Sequence, residues 1–256
     1  MTTVAVIPAR YDATRLPGKP LADIGGKPLI QWVVENARSC KRIDGVIVAT
    51  DDQRILDAVH RFGGQALLTS KSCQSGSDRI AETLDRISAD LIVNVQGDEP
   101  MMSPETIELA VEAIERDANC QVSTAGVRIH DRSEWESPHA VKVVTAPSGY
   151  ALYFSRSPIP NRLRSGPDLS EQDGREVWGM KHLGLYVYRR QALLDFVAWP
   201  PSCLERLEKL EQLRFLEHGY KIRVVETRHD SVGVDTPEDL ERARALLEGK
   251  RLKYEC

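Results

Sequence analysis

Short apolar runs recur through the first half of the chain: Val4–Ile7, Gly45–Ala49, Ala66–Leu68 and Leu91–Val95. Each is continuous rather than alternating, which suits a strand buried on both faces. Longer stretches of helical character lie between them. One runs from Pro28 to about Cys40. A second is capped by Thr50 and Asp51, reaches Phe62 and ends at Gly63-Gly64. A third spans about Ser77 to Ile87, and a fourth opens at Ser103-Pro104 and runs to about Arg116. Strands alternating with helices predict an α/β fold: a single, mostly parallel, Rossmann-like sheet covered by helices on both faces.

The second half changes character. Val141–Val144, Tyr150–Phe154 and Leu183–Tyr188 read as strands, and Ala146–Gly149 is a hairpin turn between the first two. This predicts an antiparallel region inserted into the parallel framework. The polar stretch Pro160–Gly179 reads as a loop, of a length that suits a lid or an insertion. Helices return at Gln191–Trp199 and Leu204–His218. Ile222–Thr227 is a strand, and a last helix begins at Pro237. No clean linker separates residues 1–120 from residues 121–256, so the two halves are expected to share one domain.

The segment after the first strand concentrates charge. Arg10, Arg15 and Lys19 fall in a loop that Pro8, Pro17, Gly18 and Pro20 keep from becoming helical. A solvated basic loop is the plain alternative. The position at the carboxyl end of a first parallel strand favours a polyphosphate site instead. The chain as a whole carries a formal charge of -4, so this cationic loop stands against an acidic background and a general nucleic-acid binder is disfavoured.

Two aspartates occupy similar settings. Asp98 follows Ile92–Gly97 and precedes Glu99-Pro100; Asp235 follows Val232-Gly233-Val234 and precedes Thr236-Pro237. Carboxylates at strand ends, near phosphates, are hard oxygen ligands suited to Mg2+. Asp235 also reads as a turn residue before a helix capped by Thr236, with Asp239 at its third position. Gln96, Asp98 and Glu99 crowd polar groups onto one strand end, which is costly unless something binds them. Gln74-Ser75-Gly76-Ser77-Asp78-Arg79 is a small-residue turn opening a helix; it suits a base or phosphate, with Ser77 or Asp78 as an ordinary cap the plainer reading. His182 before its strand reads as structural when taken alone. In the stretch Leu204–His218, Leu207, Leu210 and Leu213 form an apolar stripe, with Glu208, Glu211 and Gln212 on another face.

Absent features narrow the classes. There is no P-loop signature, no Gly-x-Gly-x-x-Gly after the first strand and no Gly-x-Ser-x-Gly elbow, which disfavours P-loop kinases, dinucleotide oxidoreductases and serine hydrolases of that type. The 5 cysteines form no Cys-x-x-Cys pair, and no apolar run approaches the length of a membrane span. Reduced thiols, a cytoplasmic location and no membrane insertion are the expectation.

Read together and in order, Ile7–Leu21, Gln74-Ser75-Gly76, Asn94–Pro100, Tyr150–Arg156, Lys181–Gly184, Leu210–Arg214 and Val234–Leu240 resemble the 3-deoxy-manno-octulosonate (Kdo) cytidylyltransferases, the CMP-Kdo synthetases of lipopolysaccharide synthesis. The first motif alone marks only the wider sugar nucleotidyltransferase superfamily. Tyr-Ala-Leu-Tyr-Phe-Ser-Arg and Leu-Glu-Gln-Leu-Arg are far more specific. Cys73–Arg79 departs mildly from the family's usual His-Gln-Ser-Gly-Thr-Glu-Arg, and residues 161–180 match no family pattern.

The resemblance implies a nucleotide-diphospho-sugar transferase fold, a homodimer and the Mg2+-dependent reaction of CTP with Kdo to give CMP-Kdo and pyrophosphate. It implies a nucleotide-binding half at 1–120 and a sugar-binding and dimerisation half at 121–256. Arg10, Arg15 and Lys19 would contact the CTP phosphates, with Gln74, Ser75, Gly76 and Arg79 at the nucleotide. Asp98 and Asp235 would hold the metal, and with Lys19 and Arg15 would form the catalytic set. Gln96, Arg156, His182, Tyr186, Glu211 and Gln212 would line the Kdo site, Arg156 facing the sugar carboxylate. The 8-amino analogue of Kdo, or another acid sugar such as sialic acid, is the alternative acceptor. A non-catalytic nucleotide-binding module is the rival from another class, and the Asp98/Asp235 pair argues against it.

Overall fold

Val4 and Val6 face one helical layer and Ala5, Ile7 and Ala9 face the other, so the first strand is buried on both sides. The computed structural model describes residues 1–12, 15–161 and 176–254, the last seven by backbone only. In chain order the elements are β1 (Thr3–Ala9), β2 (Asp23–Ile24), β3 (Lys27–Pro28), α1 (Leu29–Ser39), β4 (Gly45–Thr50), α2 (Gln53–Arg61), β5 (Gln65–Leu68) and α3 (Gly76–Thr83). Then follow β6 (Leu91–Val95), α4 (Pro104–Arg116), β7 (Val122–Ile129), α5 (Arg132–Glu136), β8 (Lys142–Thr145) and β9 (Ala151–Ser155). The chain finishes with β10 (Gly179–Arg189), α6 (Arg190–Ala198), α7 (Cys203–Glu208), α8 (Gln212–Glu217), β11 (Ile222–Thr227) and α9 (Pro237–Tyr254).

Among the described residues the central sheet has nine strands in the order β11-β7-β10-β6-β1-β4-β5, with β8 and β9 continuing from β10. β6, β1, β4 and β5 are mutually parallel, and β11 is parallel to β7. β10 runs antiparallel between β6 and β7, and β8–β9 is the expected antiparallel hairpin. The Ala146–Gly149 turn closes with the Ala146 amide donating to the Tyr150 carbonyl at 2.8 Å. From β1 the chain winds outward through β4 and β5, then returns to β6 on the other side of β1. The topological switch point therefore lies between β1 and β6, where a crevice opens at the strand ends.

Two apolar layers hold the helices to the sheet. α1, α2, α4 and α9 pack Leu29, Val33, Ile55, Ile107, Val111 and Leu240 on one face. On the other, Ile80 of α3, Leu193 and Phe196 of α6 and Phe215 of α8 pack against Ile92 and Tyr188. No helix among the described residues is long and apolar enough to cross a membrane.

Several boundaries depart from expectation. The cap of α2 is Asp52, whose Oδ1 accepts the Arg54 amide at 2.9 Å, rather than Thr50 or Asp51. Asp51 instead takes the Arg79 guanidinium at 2.7 Å. Ser75, not Ser77 or Asp78, caps α3, in a box with Asp78. Ser103 stands at the start of α4, but its hydroxyl bonds the Glu105 carboxylate and makes no cap bond. Strand β7 was not expected, because Val-Ser-Thr-Ala-Gly-Val lacks a continuous apolar run. Its Ser123 and Thr124 are nevertheless fully buried, their hydroxyls satisfied by the carbonyls of Ala110 (2.6 Å) and Leu185 (2.6 Å).

The stretch Leu204–His218 is two helices, not one. Lys209 adopts a left-handed φ of 56° between α7 and α8. The break turns Leu207 out to solvent, 74% exposed, while Leu210 and Leu213 stay in the core. The proposed three-leucine stripe is therefore replaced by a corner, which brings Glu211 and Gln212 against the sheet. Of the stretch Pro160–Gly179, residues 162–175 lie outside the described residues, and β10 begins at Gly179.

Candidate active site

The loop after β1 folds back on itself. The Gly18 amide donates to the Tyr11 carbonyl at 2.9 Å, and Gly18 sits at φ +72°, a conformation that disfavours a side chain. A short 3-10 turn, Lys19–Leu21, follows and aims Lys19 inward. The Lys19 ammonium, only 12% exposed, donates to Asp98 Oδ2 at 2.7 Å and to Asp235 Oδ1 at 3.1 Å. Arg15 reaches Asp235 Oδ2 at 2.8 Å.

Backbone geometry explains why distant carboxylates meet. Gly97 lets the end of β6 lie against the end of β1: a Cβ there would come within 2.6 Å of the Pro8 carbonyl oxygen. The Val234 amide donates to the Asp98 carbonyl at 2.8 Å and so ties residues 234–235 to β6. Thr236 and Asp239 form a reciprocal cap at the start of α9. Asp235 therefore precedes a capped helix, as its turn reading expects, and its carboxylate faces the loop, where it accepts from Lys19 and Arg15.

These residues line a cavity of about 390 Å³ with Pro8, Ala9, Arg10, Gln74, Ser75, Gly76, Arg79 and Gln96. Not every lining group is free for a ligand. The Ser75 hydroxyl is engaged as the α3 cap, Gln74 Nε2 donates to the Ser72 carbonyl at 2.9 Å, and Arg79 is buried against Asp51 and Thr69. Arg79 thus braces the 74–76 turn, while Arg10 and Arg15 line the cavity with exposed side chains. The expected cluster Gln96, Asp98 and Glu99 is split. Asp98 faces the cavity, and Glu99 packs behind it against Gly184. Burial, reinforced by the Asp98 charge, pushes the Glu99 carboxyl up to about 7.

The donor set of Asp98 and Asp235 suits a divalent cation. Two hard carboxylates already converge on one cationic centre, the Lys19 ammonium, and both remain partly open to the cavity. Among the described residues no cluster of three or more candidate ligands forms. Two carboxylates with the remaining positions left to water and phosphate oxygens match the habits of Mg2+ rather than those of an all-protein cage.

A second cavity, of about 340 Å³, adjoins the first on the α6–α8 side of the sheet. It gathers Gln96, Arg156, His182, Tyr186, Glu211 and Gln212, the whole set expected for an acid sugar, from β6, β10, the end of β9 and the α7–α8 corner. Arg156 is held by backbone carbonyls: Nε donates to Glu208 (2.9 Å) and Nη1 to Pro138 (3.1 Å). The fully buried Lys142 supports it from β8, its ammonium donating to the carbonyls of Ser137, Ala140 and Arg156 at 2.6–2.8 Å. Carbonyls hold the guanidinium in place without neutralising it, so its charge remains available to an anionic guest.

His182 is half-buried, and desolvation pushes its imidazole down to about 3 and keeps it neutral. The Thr124 hydroxyl spends its proton on the Leu185 carbonyl at 2.6 Å, so it accepts from His182 Nε2 at 2.9 Å. This bonding places the ring proton on Nε2 and leaves Nδ1 as an acceptor. Gln212 Nε2 is buried with no hydrogen-bond partner among the described residues. A buried amide donor left unpaired is costly unless a ligand oxygen meets it. Sequence reasoning missed Asn94, Ser77 and Tyr188 in this cavity. Asn94 carried a usable signal: it is the one polar residue in Leu91–Val95, on the face opposite Val93 and Val95. Gly76, Gln96 and Glu211 line both cavities.

Comparisons with known proteins place the chain among the cytidylyltransferases. The family model described as cytidylyltransferase matches residues 4–222. The 3-deoxy-manno-octulosonate cytidylyltransferase of Geotalea uraniireducens (strain Rf4) is 51% identical over 249 residues, covering 96% of this chain and 99% of that protein. The protein of that name from Thermodesulfovibrio yellowstonii (strain ATCC 51303 / DSM 11347 / YP87) is 46% identical over 256 residues, covering 96% and 98%. A solved CMP:2-keto-3-deoxy-manno-octonic acid synthetase complexed with CTP matches with a TM-score of 0.89 at 42% identity, over 98% of this chain and 100% of that one. The 4-diphosphocytidyl-2C-methyl-D-erythritol synthase of Anaerococcus prevotii DSM 20548, at 16% identity and a TM-score of 0.63 over 96% of each chain, shares the fold alone.

Proposed function

The chain belongs to the 3-deoxy-manno-octulosonate cytidylyltransferase family, and from that premise we propose that it activates Kdo with CTP, giving CMP-Kdo and pyrophosphate for lipopolysaccharide synthesis. The observation that carries this reading is the pair of adjoining cavities. One is floored by Lys19, Asp98 and Asp235; the other offers the unneutralised Arg156 and the unpaired Gln212 amide.

In this reading the CTP phosphates lie against Arg10, Arg15 and Lys19, with the nucleoside along the turn Gln74–Gly76. The sugar carboxylate meets Arg156, and its hydroxyls meet Gln96, His182, Tyr186 and Gln212. Bringing both substrates to one junction replaces a bimolecular encounter by a local one. The anomeric hydroxyl then attacks the α-phosphorus in line, and the α–β bridging bond breaks toward pyrophosphate. Lys19 and Arg15 stabilise the charge that spreads over the phosphate oxygens, and they are already positioned to do so. Mg2+, which Asp98 and Asp235 are suited to hold, would supply Lewis-acid stabilisation of the same oxygens. His182 stays neutral and positions a hydroxyl through Nδ1.

Pyrophosphate release tests the reading. CTP with Kdo and Mg2+ is expected to react, while ATP, GTP and UTP, or omission of Mg2+, give little product. The 8-amino analogue of Kdo is run as a second acceptor. Absence of product from labelled Kdo, CTP and Mg2+ would overturn the assignment, and faster turnover of the amino sugar would move it to that substrate.

The same family reading supports a cytoplasmic homodimer. Among the described residues strand β9 pairs with β8 alone along Ala151–Ser155, and its Leu152 is 63% exposed. An apolar side chain on an edge strand suits a second copy of the chain. Sedimentation equilibrium is expected to give twice the chain mass of 28.7 kDa, and Leu152→Asp is expected to shift it toward the monomer. A monomer at all concentrations would remove this part of the reading.

A further inference from the structure

The reaction needs a group to take the proton of the attacking hydroxyl, and that group must reach the place where the two substrates meet. With the nucleotide in one cavity and the sugar in the other, that place is their junction. Its shared lining is Gly76, Gln96 and Glu211. Glycine offers no side chain, and a primary amide is too weak a base. Glu211 is the remaining member of the three. Its neighbours are otherwise committed. Asp98 and Asp235 direct their oxygens at Lys19, and they line the nucleotide cavity alone. His182 lines the sugar cavity alone and gives Nε2 to Thr124.

We propose that Glu211 is the general base of the reaction, accepting the anomeric proton as the hydroxyl oxygen bonds to the α-phosphorus. The inference rests on the cytidylyltransferase reading. In the step, the O–H bond breaks to Glu211, the new O–P bond forms, and the bond to the β-phosphate oxygen breaks with its electron pair leaving on pyrophosphate. The carboxylic acid then returns its proton to solvent.

The surroundings of Glu211 suit that task. It stands at the α7–α8 corner, half-buried, and Oε2 accepts the Ser77 hydroxyl at 2.8 Å, which fixes the carboxylate plane from α3. Burial raises its pKa. The Ser77 bond and Arg214 of α8 oppose the rise, and Asp78 of α3 and Glu205 of α7 add to it. Tyr186 and Tyr188 face it from β10 with burial raising both phenols, so they stay neutral. A carboxylate raised in this way is a stronger base than an exposed one and is still ionised once the pH exceeds its pKa. Turnover should therefore fall as the pH drops through that raised value.

The test compares wild type, Glu211→Gln and Glu211→Asp by pyrophosphate release from CTP, Kdo and Mg2+ across the pH range. Glu211→Gln keeps the shape and can still accept from Ser77. It is expected to lose about 100-fold in kcat, the scale of a general base, with the KM of both substrates little changed and the acid limb of the kcat profile gone. Glu211→Asp is expected to recover part of kcat together with the limb. If Glu211→Gln retains kcat and the limb, or raises only the KM for Kdo, Glu211 is a sugar-binding group and the inference fails while the functional reading stands. A wild-type enzyme silent on Kdo would overturn both.

Discussion

Asp98→Asn and Asp235→Asn are each expected to lower turnover by roughly 10²–10³-fold or more while the protein still folds, since the loss of one preorganised electrostatic partner at a reacting phosphate is of that order. The physical reason is the arrangement around Lys19. Its ammonium is nearly buried, and two carboxylates share it, at 2.7 and 3.1 Å. Replacing one carboxylate by an amide leaves the other to compensate the ammonium, so no buried charge is orphaned and the fold survives. What disappears is half of the anionic charge available to a divalent cation. Asp98 should be the more sensitive of the two, because it is the less exposed and the amide at 234 anchors its backbone. Circular dichroism and thermal melting check the fold, and pyrophosphate release titrated with Mg2+ checks the chemistry. Turnover close to wild type in either variant would remove that carboxylate from the metal role.

Glu205→Ala is expected to destabilise the protein by about 3–5 kcal/mol, the usual consequence of stranding the partner of a buried ion pair. Glu205 and Arg214 pair side-on, Nε to Oε2 at 2.8 Å and Nη2 to Oε1 at 2.6 Å, with side chains only 10% and 8% exposed. Arg214 also donates to the carbonyls of Phe196 and Trp199 and lies over the Phe196 ring. Glu205 has a second role, accepting the Ser202 amide at 2.9 Å as part of the α7 capping box. Alanine removes both interactions and leaves the guanidinium uncompensated. The pair spans the corner at Lys209, so the loss should spread to Glu211 and Gln212 and weaken turnover as well. Urea denaturation gives the stability, and Glu205→Gln, which keeps the acceptor oxygen, should cost less. A loss below about 1 kcal/mol for Glu205→Ala would mean that the corner is held chiefly by Phe215 and its aromatic neighbours.

The two halves of the molecule differ in how openly the sequence declares them. β1, β4 and β6 are legible because each is buried on both faces and so needs consecutive apolar residues. β7 is equally central yet composed of Ser, Thr, Ala and Gly between its valines. Its small side chains admit α4 closely, and hydrogen bonds to Ala110 and Leu185 take the place of apolar bulk. Those partners lie on other elements, so no local pattern announces the strand. The α7–α8 break is hidden for a related reason. Lys209 carries no glycine or proline signal, and the left-handed turn is sustained by packing and by the Glu205–Arg214 pair across it.

By itself the sequence determined the wound α/β framework, the cationic loop at the end of the first strand and many, though not all, of the residues that line both cavities. Each of these follows from local rules: apolar runs make buried strands, prolines and glycine hold a loop open, and motif spacing preserves family membership. Only the tertiary structure decided which of those residues touch. It set Asp98 and Asp235 on one ammonium although they are far apart in the chain, committed Ser75 and Arg79 to bracing the turn, and placed Glu211 where the two cavities join. Such choices depend on contacts between elements distant in sequence. They are fixed by the burial of charge and the satisfaction of buried hydrogen bonds, which no single stretch of chain contains.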